Sequence, residues 1–212
     1  MEIEEKIKLA LIELRKEKKR KFEQTLDLVI NLQKFDAKRN QINIFVEVPH
    51  KIKDKKICAF LEEKNSAVET ITPDKFKKYS DKNALKGLVK NYDFFIAQAS
   101  LMPKVATTFG RVLGPAGKMP SPQKGILMKV DEKEIENLKK KIESSVRIRV
   151  KEPSVKLAIG KENMKDEALI ENILSVYESL LKELTKGKEN IKNLELKFTM
   201  TKPQKINPRE ND

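Results

Sequence analysis

The residues best suited to chemistry are few and far apart. A loop bearing Gly114, Pro115, Gly117, Lys118, Pro120 and Pro122 follows an apolar run and a helical stretch. Backbone N–H groups left bare by glycine, beside a lysine, could cradle a phosphate. The spacing does not fit. A P-loop needs a glycine, four residues, then Gly-Lys-Ser/Thr. Here that first glycine falls at Val112, and Lys118 is followed by Met119, which offers magnesium no hydroxyl. The glycines also close a helix instead of opening one, so the segment reads as a rigid connector. The lone histidine, His50, follows Pro49 and reads as a turn or hinge residue, not a base. Cys58, the single cysteine, sits inside KICAFL and reads as a small buried hydrophobe. No Ser–His–acid set, dinucleotide GxGxxG fingerprint or metal-ligand spacing occurs, so no catalytic residue, metal or cofactor is assigned. A nucleotide-dependent enzyme working from the middle of the chain is the rival class.

Charge points elsewhere. Across 212 residues, 45 Lys+Arg stand against 32 Asp+Glu, a formal +13, which favours a polyanionic partner. The competing explanation is a solvated Lys/Glu-rich surface with no ligand. A single cysteine argues against a disulfide framework and suits a reducing compartment. No apolar run approaches the roughly 18 residues that span a bilayer, and the N-terminus is charged throughout, so a soluble intracellular protein without membrane partners is expected.

The elements that must position any site follow from periodicity. Residues 3 to about 19 carry an apolar stripe through Ile7, Leu9, Ala10, Leu11 and Leu14 and end in the basic run Arg15–Lys21. That run either complements the helix dipole or meets backbone phosphates. Leu26, Leu28, Ile30 and Leu32 alternate as a half-buried strand, as do Ile42, Ile44, Val46 and Val48 in a strand from Gln41. Phe22, at the start of the first strand beside Lys21, either covers the helix or offers a stacking ring, the core being the usual place for a lone phenylalanine. From about Lys53 the rhythm changes to KICAFL, AVETIT, one helix started by Pro73-Asp74, and the doubly buried strand DFFIAQ, which fits an α/β layer. A helix from Pro103, another over 131–142 and a strand over 146–150 complete this middle. After Pro153 come a strand through Val155, Leu157 and Ile159, a helix over about 166–184 stopped by Gly187, and a strand placing Leu194, Leu196, Phe198 and Met200 on its core side. The expected architecture is an α+β outer domain formed by both chain ends, 1–52 and 154–212. An α/β domain, 53–153, is inserted in it.

Four segments in this order, RKFEQTLDLVINL, YDFFIAQ with TFGRVLGPAGKMPSP, KLAIGKENM and FTMTKPQKIN, resemble the family of large-subunit ribosomal protein number one in its archaeal form. The resemblance covers nearly the whole chain. It implies that the outer domain binds ribosomal RNA and that the insert is Rossmann-like. It also implies a place at the mobile exit-site stalk of the cytoplasmic ribosome, help in releasing deacylated exit-site tRNA, and repression of the protein's own mRNA. Off the ribosome a monomer is implied. Carried over by position, the RNA contacts are Lys21, Phe22 and Thr25, then Gly160, Lys161 and Asn163, then Thr199, Met200 and Thr201. Hydroxyls and backbone groups can read the 2′-OH and sugar edge, and lysines answer phosphates.

This chain departs from the family's pattern twice. Thr201 stands where a glycine is usual, and Asn163 where a serine is common. Charge also runs against the assignment: residues 53–153 hold 22 Lys+Arg against 13 Asp+Glu, a net +9, leaving 23 against 19, or +4, outside. Net charge alone would send RNA to the middle. The expectation is therefore a compact, shape-matched surface on the outer domain, with the basic insert facing rRNA or passing tRNA more loosely. A general basic nucleic-acid binder is the remaining alternative.

Overall fold

A computed structural model describes residues 3–18, 20–37, 40, 42–79, 81–122, 125–128 and 131–208, the side chains of Lys82 and Glu132 excepted. Contacts divide the chain into two compact units, one of Met1–Lys53 with Ser144–Asp212 and the other Asp54–Glu143.

In the first unit, the central strand β1 (Thr25–Leu32) alternates half-buried and buried residues along its length. It lies between β8 (Ser154–Lys161) and β9 (Ile191–Phe198), with β10 (Gln204–Ile206) outside β9, all antiparallel. Helix α1 (Ile3–Arg15) brings Ile7, Ala10, Leu11 and Leu14 into the core with the inward residues of β1, and α5 (Asp166–Glu183) brings Leu169, Ile173, Val176 and Leu180. Leu9, expected on the same stripe of α1, turns outward and is exposed. Each fully buried Leu or Ile contributes about 1.5–3 kcal/mol. The α5 face is interrupted by Asn172, fully buried yet satisfied: its Oδ1 accepts from His50 N–H at 2.9 Å, and its Nδ2 donates to His50 O and Ile159 O. His50 is thus fastened to α5, its Nε2 also 2.7 Å from Glu171. A two-stranded antiparallel ribbon, β2 (Asn43–Glu47) with β7 (Ser145–Arg149), completes the unit.

The second unit holds a parallel sheet ordered β4 (Glu69–Ile71), β3 (Ile57–Phe60), β5 (Phe94–Gln98), β6 (Ile126–Leu127). All of β3 and the middle of β5 are buried, as expected where helices cover both faces. One face packs Phe60 and Phe95 with Phe109 of α3 (Met102–Ala116) and Leu85 and Leu88 of α2 (Lys82–Asn91). The Phe60 and Phe109 ring centres are 4.8 Å apart. The other face packs Ala59, Ile96 and Leu127 against Ile135 and Ile142 of α4 (Glu132–Glu143). No described helix is long and apolar enough to cross a membrane.

Several expectations need correction. The strand over 146–150 is β7, and it pairs with β2 of the first unit, so the second unit ends at Glu143 and not at 153. Its alternation was legible, but its partner lies a hundred residues upstream, which no local pattern encodes. The helix expected from Pro73 is a 3-10 segment, Pro73–Tyr79, followed by α2. Gly114 and Pro115 belong to α3, which ends only at Gly117, in the left-handed region at φ 69°. Lys118 N–H then reaches Leu113 O and Gly117 N–H reaches Gly114 O, the paired bonds of a Schellman stop. Strands β6 and β10 had no counterpart in the sequence reading. Lys19 of the basic run and Gln41 lie outside the described residues.

Candidate nucleic-acid interface

The three antiparallel strands β8, β1 and β9 finish together, and the finish brings three distant segments side by side. Thr25 pairs with Lys161, and Leu26 with both Gly160 and Phe198. A bulge between Leu26 and Asp27 leaves Ile159 of β8 without its own partner on β1. Such an irregularity increases local twist and re-aims the chain leaving the sheet.

Polar side chains lock the segments to one another. Thr25 N–H donates to Thr199 Oγ1 at 3.1 Å, and the Thr199 hydroxyl donates to Thr25 O at 3.4 Å. Gln24 is the hub. It is 3% exposed; Met200 N–H donates to its Oε1 at 3.1 Å, its Nε2 donates to Glu162 Oε2 at 3.2 Å, and its carbonyl accepts from Glu162 N–H at 2.9 Å. Lys161 Nζ pairs with Glu23 at 2.5 Å. Arg15 closes the arrangement from α1. It bonds Asp166 Oδ1 at 2.6 Å through Nε and reaches the carbonyls of Glu162 and Met164 at 3.0 and 2.8 Å. Part of the basic run is therefore structural.

What faces solvent is different in kind. Phe22 is 52% exposed, which agrees with the stacking-ring alternative over the core one, and Met200 is 56% exposed, correcting the core side expected from alternation. Alternation carried Met200 inward on paper, but β9 stops at Phe198 and a turn intervenes. Lys21, Asn163 and Thr199 are also exposed, and Thr25 and Lys161 half-buried. Gly160 is buried: a Cβ there would stand 2.3 Å from Leu169 Cδ2 and 3.0 Å from Met164 Sδ, so any side chain requires Leu169 to shift. Thr201 creates no strain, since Lys34 is the sole described non-glycine residue with positive φ. Its Oγ1 accepts from Phe198 N–H at 2.9 Å, closing the turn with a side-chain bond that glycine cannot make. On the sheet's other alternation, burial raises the Asp27 carboxyl pKa, partly offset by Lys197.

Sequence reasoning missed Gln24, Glu162 and Arg15. The first two lie inside matched segments, but only tertiary pairing shows that they join loops. The corrected boundary also changes the charge picture. The first unit carries 27 Lys+Arg against 20 Asp+Glu, net +7, and the second 18 against 12, net +6. Net charge no longer favours the middle.

The other candidate for an anion dissolves. Lys118 Nζ donates to the carbonyls of Val89 and Tyr92, both at 2.7 Å, so its charge is spent capping the end of α2. A cleft of about 600 Å³ in the same unit, bordered by Lys55, Lys56, Tyr92 and Lys139, opens at the amino ends of the strands. Ligands of open parallel sheets sit at the carboxyl ends. Cys58 is fully buried, and its thiol is pushed up to about 12 by burial and by Glu69, which suits a packing residue.

The family model for ribosomal protein L1p/L10e matches residues 14–202, a span that takes in every segment meeting at the sheet end. The chain belongs to the L1p/L10e family. Among similar proteins, the large ribosomal subunit protein uL1 of Pyrobaculum neutrophilum is 35% identical over 93% of this chain and 91% of its own. Those of Thermofilum pendens and Nanoarchaeum equitans are 35% and 34% identical, over 96% and 88% of this chain and 92% of theirs in each case. The archaeal character read in the four segments thus has its counterpart in archaeal relatives of nearly full length.

Proposed function

We propose that this protein is a structural, non-catalytic constituent of the large ribosomal subunit in the cytoplasm. It binds large-subunit rRNA through the end of the β8–β1–β9 sheet. The observation that carries this reading is the locking of Lys21–Thr25, Gly160–Asn163 and Thr199–Thr201 into one surface by Gln24, Thr199 and Arg15. A rigid surface loses little side-chain and loop entropy on binding. In this reading residues 1–53 and 144–212 form an α+β RNA-binding domain, and 54–143 form a Rossmann-like insert.

Division of labour follows from exposure. Lys21 meets phosphate, the Phe22 ring stacks on a base or sugar, and Met200 supplies an apolar contact. The Asn163 amide serves a base edge or a 2′-OH. Thr25 and Thr199 hold the surface in register, and Gly160 lets Leu169 pack beneath it. Family membership extends the proposal to the mobile exit-site stalk, to release of deacylated tRNA, and to repression of the protein's own mRNA through an RNA that mimics the ribosomal site. Off the ribosome the protein acts as a monomer.

The test is equilibrium binding to a large-subunit rRNA stalk fragment and to a scrambled duplex of equal length, at about physiological salt. A preference of roughly a thousandfold, the lower range for specific sites, is expected. Equal binding to both would replace the proposal with a generic basic binder.

A further inference from the structure

The β2–β7 ribbon carries a second constellation that the sheet end does not use. Its strands pair Asn43 with Arg149 and Phe45 with Arg147. By alternation, Asn43, Phe45, Arg147 and Arg149 share one face of the ribbon. The Arg147 guanidinium lies 5.3 Å from the Phe45 ring centre and donates from Nε to Asn43 Oδ1 at 2.9 Å. Its plane is thereby fixed against an aromatic face. Arg149 is exposed two residues along, roughly 7 Å away on the same face by strand geometry, and no described acid pairs with it. Burial and the charge of Arg149 both lower the Arg147 pKa. The face therefore holds two neighbouring cations, with Glu47 at its far end as the one acid on that alternation.

Two arginines held in repulsion beside an aromatic ring make a poor resting surface and a good anion-binding one. The guanidinium fork matches phosphate geometry, and arginine stacks on flat rings. The major groove of A-form RNA is too deep and narrow for side chains to read, so two arginines beside a ring favour backbone and stacking contacts over base readout.

We propose that this ribbon face is a second RNA-binding surface of the first unit, contacting phosphates through Arg147 and Arg149 without reading sequence. It rests on the proposed RNA-binding function and extends the footprint beyond the sheet end. The ribbon belongs to a separate sheet and shares no strand pairing with β8, β1 or β9.

The experiment compares the full-length wild type with the double variant Arg147→Ala/Arg149→Ala. Affinity is titrated against salt for both the stalk fragment and the scrambled duplex. Two phosphate contacts account for about 1.4–1.8 units of the log–log salt slope, on roughly 0.7–0.9 per phosphate. The expected result is that loss, with about tenfold weaker binding to both RNAs and an unchanged preference between them. A control, Lys182→Ala/Lys186→Ala, removes equal charge elsewhere on the unit. An equal fall in the control would reduce the effect to long-range charge and overturn the proposal, as would an unchanged slope in the ribbon variant. Weakened binding to polyglutamate with RNA binding intact would assign the face to an acidic protein instead, also overturning it. Thermal melting of each variant excludes misfolding, and Arg149→Lys is the milder variant should the double one melt early. Lys keeps a point charge, so with Arg149→Lys the salt slope holds at the wild-type value while a fork-dependent contact weakens severalfold. Unchanged affinity and slope in Arg149→Ala alone would sink the claim. Absence of any wild-type preference for the stalk fragment would instead defeat the proposed function, leaving the ribbon's sequence-blind contact to be read on the duplex.

Discussion

The end of the β8–β1–β9 sheet and the Gly117–Lys118 turn of the second unit make an instructive pair. The turn has the outward marks of an anion site, yet its lysine is consumed by two carbonyls at 2.7 Å. The sheet end has no glycine-rich loop and pairs much of its charge internally, yet it keeps Lys21, Phe22, Asn163 and Met200 outward while polar groups hold their backbone in place. If the sheet end binds RNA as proposed, the surface is marked by the residues left over once the structure has satisfied itself. Charge and glycine content do not mark it.

Substitutions can break that contrast. The largest effect is expected from Gly160→Val, where a branched side chain meets Leu169 at a site already closed to a Cβ. Overpacking of this kind costs about 1–3 kcal/mol, read as a lowered urea midpoint, and rRNA affinity falls with it. Unchanged stability would show that Leu169 moves aside freely and that glycine serves something other than packing.

Gln24→Ala comes next. It leaves Met200 N–H without its acceptor and removes the Nε2 bond to Glu162, whose carboxylate keeps the backbone N–H of residue 24, at about 1–3 kcal/mol for an unsatisfied group. Stalk-fragment affinity should drop at least tenfold with the scrambled duplex unaffected; equal losses on both RNAs would remove Gln24 from its role as organiser. Lys118→Met sharpens the comparison from the other side. It removes two charge-assisted bonds and costs about 1.5–3 kcal/mol of stability, but rRNA affinity measured below the melting range stays the same. A selective loss of RNA binding would mean the turn is a site after all.

Phe22→Ala leaves stability within about 0.5 kcal/mol, as for exposed positions. It weakens RNA binding by about 1–3 kcal/mol, the range for one stacked base. The smallest effect concerns Cys58. The folded protein holds the thiol proton up to about 12 against a reference of 9.0, so stability is undiminished below about pH 9 and declines as pH rises toward 12. At pH 8 a thiol reagent should label the native chain only through unfolding; rapid labelling would contradict the burial.

Much of this was legible in the sequence because it is local. The alternation of β1, the amphipathic stripes of α1 and α5 and the apolar runs of β3 and β5 all follow from period and burial. What escaped was pairing. β7 reads as a strand in any register, but its allegiance to β2 is a tertiary fact, and misplacing it moved three basic residues, Arg147, Arg149 and Lys151, into the wrong unit. The exposure of Met200 escaped because strand alternation argues for its core side, and only the end of β9 at Phe198 overrides it. Gln24 is a polar residue between a glutamate and a threonine, with nothing in its neighbourhood to mark the 138 residues separating it from Glu162.

The central position of β1 has a consequence for the protein's manufacture. Both strands that flank it are synthesised after residue 153, and the Thr25–Thr199 bond joins residues 174 apart. At about 5–20 residues per second, a growing chain carries Phe22 and Thr25 for on the order of 10–30 s before Thr199 exists. During that interval β1 lacks both of its neighbours in the sheet, and a chain terminated early never closes the Thr25–Thr199 contact. If the sheet end binds RNA as proposed, only chains extended past Thr199 carry all three of its segments.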